Sequence, residues 1–199
     1  EMGDRLPYFW KTLDYGRTWR FIVNGIETDD FTRVIRQDIK NPNVLYAGSE
    51  MGVYISLNQG EEWHSLSLNL PTVPVTGLVV EERDLVISTH GRSFWILDDI
   101  ETLRQINPSL SHSENHLFKP ANAIRRNVPA VIDYYVEEGA REVKLEILDS
   151  EGRHVTTLME QNAQTRLQQI PFEKAKYLQC LLHPLNPLEL IMFSIILTH

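Results

Sequence analysis

Short runs of alternating apolar and polar residues fill the first half of the chain. From Phe31 onward they read RVIRQDI, VLYAG, GVYIS and EWHSL, and the segments between them, KNPN, SEMG and NQGE, are dense in turn formers. Alternation with period two over so few residues predicts β-strands, and the Asn, Pro and Gly between them predict tight reversals. Phe31 to Leu66 is therefore expected to form four consecutive antiparallel strands.

The same order returns from Val75 to Ile106. TGLVV takes the place of RVIRQDI, DLVIST of VLYAGS, RSFWIL of GVYISL, and ETLRQI of EWHSL. Ahead of Phe31, PYFWKTLDYGRTWRFI supplies only the last two strands of an earlier copy. Four strands in a period of about 40 residues suit one blade of a β-propeller. The expected fold is all-β, with a partial β-propeller of about two and a half four-stranded blades over residues 1–107. Residues 108–129 follow as a linker.

A second pattern opens at Ala130. VIDYYV alternates, and VKLEIL, DSEG and RHVTTL predict a hairpin with a Gly-containing turn. Residues 130–158 are expected to start a β-sandwich, with about three strands legible where the whole fold needs about seven. From 159 to 199 the alternation is lost. MEQNAQTRLQQIPFEKAKYLQ has weak helical spacing, and CLLHPLNPLELIMFSIILTH is apolar but broken by prolines. Three readings of this tail stay open: sequence foreign to the rest, from a frameshift or an aberrant gene end; a divergent set of sandwich strands; or a membrane anchor. The apolar run from Leu190 to Leu197 falls short of the roughly 20 residues that a spanning helix requires, so no membrane span is expected.

One short phrase is written twice. Thr12-Leu13-Asp14-Tyr15-Gly16-Arg17-Thr18-Trp19 returns as Ser56-Leu57-Asn58-Gln59-Gly60-Glu61-Glu62-Trp63. Both copies fall between the third and fourth strands of their repeats. Asp and Asn fold back onto backbone N–H groups in such turns, and Gly supplies positive φ. Trp19 and Trp63 follow on the fourth strand, where an indole buries a large apolar area. Asp14, Gly16, Thr18, Trp19, Asn58, Gly60 and Trp63 are thus expected to fasten hairpins and to carry no chemistry.

The first copy resembles the Asp-box, S/T-x-D-x-G-x-T-W, also called the bacterial neuraminidase repeat. The second copy is weaker, with Asn58 for Asp and Glu62 for Thr. Asp-boxes occur in sialidases, in xyloglucan-type endoglucanases and in sortilin-type receptor propellers. LYAGSEMGVYIS followed by DLVISTHGRSFWILDDI is similar to large secreted bacterial proteins of the glycosyl hydrolase or sortilin-like type, over roughly Pro7 to Leu158. The resemblance implies that 130–158 begins an immunoglobulin-like β-sandwich. It also implies a secreted or periplasmic protein of which this chain is a C-terminal fragment, with the missing propeller blades as its partners.

Charge and cysteine content narrow the classes further. The net charge is −8, without any Lys/Arg block, so nucleic acid is not an expected partner. A lone cysteine, Cys180, forms no internal disulfide and fits no thiol-ligand metal pattern. The histidines show no metal-ligand spacing, and no phosphate-cradling or nucleophile motif appears. Neither metal nor cofactor is expected. EMGDRLPYFWKT lacks the charged and apolar regions of a signal peptide and runs at once into strand-like sequence, which suggests a start inside a domain with any export signal upstream.

Strand order places candidate chemistry. The Asp-box turns mark one rim of the blades. Loops between second and third strands fall on the opposite rim, with the links holding Asp29, Asp30 and Asn69. That rim receives Glu50 in GSEMG, and His90 and Arg92 in STHGRS. Arg92 suits bidentate binding of a carboxylate or sugar acid, His90 suits proton transfer near neutral pH, and Glu50 suits acid–base work. The plainer alternatives are that Arg92 caps its loop, that His90 packs on a neighbouring blade, and that Glu50 is solvated or stabilises its loop. Asp98 and Asp99 are paired carboxylates, but they fall on the Asp-box rim and read as structural. Tyr8, Phe9, Trp10, Tyr46, Tyr54, Phe94 and Trp95 read mostly as core. Two functions remain: a piece of a glycan-active hydrolase, or a non-catalytic, sortilin-like propeller that binds peptides or partner proteins. The ligand is accordingly a glycan or a peptide, and the fragment alone is expected to be inactive.

Overall fold

The computed structural model describes residues 5–106, 115–119, 131–136, 142–149, 151–161, 175–179 and 192–198. The chain divides into two compact units, the first spanning Glu1–Ser109. The fold is all-β in character, built from several antiparallel sheets with very little helix.

The first unit opens with a hairpin, β1 (Trp10–Lys11) and β2 (Arg20–Phe21). A four-stranded antiparallel sheet follows in chain order: β3 (Thr32–Gln37), β4 (Leu45–Ser49), β5 (Val53–Ser56) and β6 (His64–Ser65). Then come β7 (Val75–Val80), β8 (Leu85–Thr89) and β9 (Phe94–Leu97), again antiparallel and in chain order. The two larger sheets match in detail. Each first strand has a register shift near its start, between Thr32 and Val34 and between Val75 and Gly77. An extra residue there bends the strand and raises its twist, so the repeat extends to an irregularity as well as to the ladders.

The core lies on both faces of the four-stranded sheet. Strand β4 is buried throughout, as a central strand covered on two sides must be. Leu45, Ala47, Tyr54, Trp63 and Ile26 form one cluster, with Phe9, Val23 and Ile35 against it. On the other face the backbone at Gly48 lies under Val75. A Cβ at Gly48 would stand 2.6 Å from Val75 and 2.8 Å from Val34, so only glycine allows this approach.

ETLRQI, expected as the fourth strand of the last repeat, is instead a short helix, α1 (Glu101–Gln105). Ile100 and Leu103 sit three apart with Arg104 beside them, a spacing that fits a helical face as well as a strand. All three are buried, and the helix carries Arg104 to a carboxylate on the four-stranded sheet. Several aromatics expected in the core are also at the surface: Tyr8, Trp10 and Phe94 are exposed, whereas Tyr46 and Tyr54 are buried.

The second unit holds two three-stranded antiparallel sheets. One has the order β10 (Asn115–Leu117), β11 (Val131–Val136), β14 (Ala175–Gln179). The other has the order β13 (His154–Gln161), β12 (Glu142–Leu148), β15 (Met192–Thr198). The predicted hairpin over DSEG is present, and its turn is held by Asp149, whose Oδ1 accepts from the N–H groups of Glu151 and Arg153 at 2.9 Å each. Two strands of the tail, β14 and β15, pair with β11 and β12. Cys180 and most of the linker lie outside the described residues. No described helix is long and apolar enough to cross a membrane.

Candidate functional site

The two copies of the repeated phrase fold the same way. Thr12 Oγ1 donates to Asp14 Oδ1 at 2.9 Å and accepts from Gly16 N–H at 2.8 Å. Ser56 Oγ donates to Asn58 Oδ1 at 2.9 Å and accepts from Gly60 N–H at 2.8 Å. Tyr15 and Gln59 take φ of 59° and 61°, and Gly16 and Gly60 take 88° and 89°. Consecutive left-handed residues suit glycine at the second position, which explains the Gly in both copies. The substitutions between the copies are matched too. Asp14 accepts from the Thr18 N–H at 2.8 Å and from the Thr18 hydroxyl at 2.7 Å. Asn58 accepts the equivalent N–H, from Glu62, at 3.0 Å. Its amide nitrogen cannot accept a second bond, and Glu62 has no hydroxyl to give one. These donors, the Thr18 N–H foremost, hold the Asp14 carboxyl below the ordinary aspartate value.

Trp63 and Trp19 diverge. Trp63 is buried, packs on the Phe9 ring at 5.8 Å and donates its indole N–H to the Ile22 carbonyl at 2.9 Å. Trp19, expected to bury its ring, is exposed and donates only to the Gly16 carbonyl of its own turn at 3.2 Å. What covers Trp63 is the hairpin that precedes it in the chain. No described element covers Trp19 in that way.

At the other ends of the strands, the β4–β5 and β8–β9 loops are also built alike. Glu50 N–H donates to the Phe31 carbonyl at 3.0 Å, and His90 N–H donates to the Pro74 carbonyl at 2.9 Å. The Ser49 and Thr89 N–H groups each donate across the loop, to the Gly52 carbonyl at 2.9 Å and to the Ser93 carbonyl at 3.1 Å. Gly91 and Ser93 take φ of 89° and 65° to close the second loop.

The three candidate side chains differ in what they can do there. Glu50 is ion-paired with Arg33, whose Nε lies 2.7 Å from Oε2, and Arg33 stacks over the Phe31 ring at 4.7 Å. A carboxylate tied to a guanidinium is a poor general acid. His90 and Arg92 are exposed. The Arg92 carbonyl accepts from the Trp95 indole at 2.9 Å, which fixes the loop backbone and leaves the guanidinium outward. Among the described residues, no hydrogen bond from the Arg92 side chain caps the loop, and His90 is exposed. No hydrogen bond or ion pair joins Glu50, His90 and Arg92 to one another among the described residues.

Two buried carboxylates do more: Asp30, which the sequence places only on a link at this rim, and Asp38, which it does not single out. Asp30 is fully buried. It accepts from Ser49 Oγ at 2.8 Å, Tyr54 Oη at 2.9 Å and Met51 N–H at 2.9 Å, and so pins the loop that presents Glu50. Burial, followed by this bond to Asp30, pushes the Tyr54 hydroxyl up and keeps it a donor. Asp38 accepts from Arg104 Nε at 2.9 Å on both oxygens, with 0 % and 3 % of the two side chains exposed. Arg104 also donates to the Glu82 carbonyl at 2.5 Å, the Glu81 carbonyl at 3.1 Å and Glu101 Oε2 at 2.8 Å. Burial opposes its charge, but Glu101 and Asp38 outweigh that and raise its pKa. Alternation marks neither aspartate, because each lies just outside a strand. Asp98 is exposed, and Asp99 pairs with Arg83 at 3.0 Å across the β7–β8 turn.

An open groove of about 380 Å³ lies between the first hairpin and the four-stranded sheet, lined by Trp10, Lys11, Arg36, Gln37 and Gln59 among others. It is at the Asp-box end of the strands, not the end with His90 and Arg92. Its polar groups are engaged with one another: Lys11 Nζ donates to the Gln59 carbonyl at 3.0 Å, and Gln37 Nε2 donates to the Pro42 carbonyl at 2.9 Å. No family model, curated protein or solved structure matches the chain.

Proposed function

We propose that the chain is part of a secreted or periplasmic Asp-box β-propeller protein that acts on glycans, and that its role there is to bind rather than to cleave. The observation that carries this reading is the pair of turns at Asp14 and Asn58, alike in hydrogen bonds and in φ. The matched bulges and loops of the two larger sheets support blades as the repeating unit. Further sheets of the same kind complete the ring, and an immunoglobulin-like sandwich follows it.

Binding fits the loop end better than catalysis. Glycosidases use two carboxylates about 5–9.5 Å apart. Here Glu50 is held by Arg33, while His90 and Arg92 face solvent. An exposed guanidinium on the same loop as an exposed imidazole suits an acidic sugar, or the carboxylate of a peptide in a sortilin-like receptor.

Screening the purified chain against neutral glycans, sialylated or uronic glycans and peptides with free C-termini tests the reading. Retention of acidic glycans, lost in Arg92→Ala and without turnover of aryl glycosides, is expected. Selective retention of peptides favours the receptor alternative. Binding that survives Arg92→Ala, or hydrolysis of an aryl glycoside, overturns the proposal.

A further inference from the structure

Within the first unit, sheet follows sheet through joints of one kind. At the first joint the hairpin presents Phe9 and the Ile22 carbonyl to Trp63. Polar contacts seal its edge: Lys11 reaches Gln59, and Arg20 forms an ion pair with Glu61. At the second joint the opposite face of the four-stranded sheet receives Val75, Leu78 and Ile87. Each sheet therefore has a leading face, turned to its predecessor, and a trailing face, turned to its successor.

Two such faces have no partner sheet among the described residues. The leading face of the hairpin carries Trp10, Trp19 and Phe21, with Trp10 and Phe21 in ring contact at 5.0 Å. Trp10 is 56 % exposed and Trp19 57 %. The trailing face of the last sheet carries Val79, Phe94 and Ile96. Phe94 is 75 % exposed and Ile96 60 %. Side-chain alternation puts these residues opposite the buried Leu78, Leu85 and Ile87, with Val79 and Ile96 flanking Val86 in the ladder. Apolar patches of this kind mark association surfaces.

Charge matches the two ends. Arg17 stands three residues after Asp14, where Glu61 stands after Asn58, and Glu61 is the turn residue that reaches back to the preceding sheet. Arg17 has no ion-pair partner among the described residues. The same end of the trailing sheet offers Glu81 and Asp98, both exposed, while Glu82 already lies 3.9 Å from Lys40.

We propose that copies of this chain associate head to tail, the β1–β2 face of one seated on the β7–β9 face of the next, with Arg17 set against Glu81 and Asp98. The contact repeats the joints already inside the chain and supplies the sheets that the propeller reading requires, so it rests on that reading. It is heterologous, using two different patches, and a copy bound at one patch leaves its other patch free.

Sedimentation velocity of the full chain tests this, with Trp10→Lys blocking one face and Ile96→Lys the other. Both positions are exposed, and far-UV circular dichroism checks that each variant keeps its sheets. The wild type should form concentration-dependent oligomers, each variant alone should be monomeric, and an equimolar mixture should give a one-to-one dimer and nothing larger. Arg17→Glu should weaken association by about tenfold, and Asp98→Lys in the partner should restore it. A wild type that is monomeric throughout, a variant that still dimerises alone, or a mixture that stays monomeric overturns the proposal. Glycan retention is read separately, so its loss leaves the sedimentation result standing and a monomer leaves glycan binding intact.

Discussion

Trp63 and Trp19 hold the same place in two copies of one turn and differ in what lies beyond them: Trp63 is 2 % exposed and Trp19 is 57 % exposed. Removing the first opens a cavity between two sheets. Trp63→Ala should cost about 3–5 kcal/mol, within the range for large core truncations. Trp19→Ala should cost less than about 1 kcal/mol. Urea titration of the two variants separates them, and equal losses would contradict the packing described.

The Asp14 carboxyl lies below the ordinary aspartate value because its charged form accepts bonds from Thr18. A depressed folded-state pKa contributes stability above the unfolded value, and that contribution disappears as pH falls through the folded one. The Asp14 turn should therefore loosen below about pH 4, where the unfolded carboxyl begins to bind a proton. Asp14→Asn, which copies the Asn58 turn, should remove that acid dependence while keeping the turn. Hydrogen exchange at Gly16 and Thr18 between pH 2 and 6 follows both effects.

Removing Arg104 leaves Asp38 buried without its partner. Arg104→Met should cost about 3–5 kcal/mol. Arg104→Lys should recover little, because a single ammonium cannot span Asp38, Glu101 and the carbonyls of Glu81 and Glu82. The double variant Asp38→Asn/Arg104→Met should be more stable than Arg104→Met alone. Denaturant midpoints for the three report the order.

Asp30 and Arg33 both support the loop that carries Glu50, with unequal weight. The Arg33–Glu50 pair is about a third exposed on each side, and solvent screens it, so Arg33→Ala should cost under about 1 kcal/mol. Asp30→Ala strands two buried hydroxyls and a backbone N–H and should cost about 3 kcal/mol. Thermal melts of the pair are expected to differ accordingly.

The strands of the first unit were legible because turn residues bound short apolar runs, half-buried in RVIRQ and DLVIST and buried throughout in β4 and β5. The turn at Asp14 was legible because its chemistry is local, with every donor and acceptor inside eight residues. The last repeat misled at ETLRQI, where Leu103 and Ile106 suit either period and Arg104 decides for a helix by pairing with Asp38, far away in sequence. Burial of Asp30 and of Asp38 was invisible for the same reason: their partners come from elsewhere in the chain, from β4 and β5 for Asp30 and from α1 for Asp38. Phe94 and Trp10 alternate like core residues, and only the sheet that meets them, or its absence, separates core from surface.

The Arg104 clasp also sets how the unit bears load. Helix α1 is held to the β7–β8 turn through the Glu81 and Glu82 carbonyls as well as to Asp38, and β9 is an edge. Tension applied to the chain at Ile106 is expected to reach Arg104 before it unzips β9 from its neighbour. It passes through Arg104 to Asp38, ahead of β4, and so into the four-stranded sheet that holds the core. The pair is placed to act as a mechanical stop: a pull on the chain after α1 is expected to load a buried, multiply bonded guanidinium before the β8–β9 ladder.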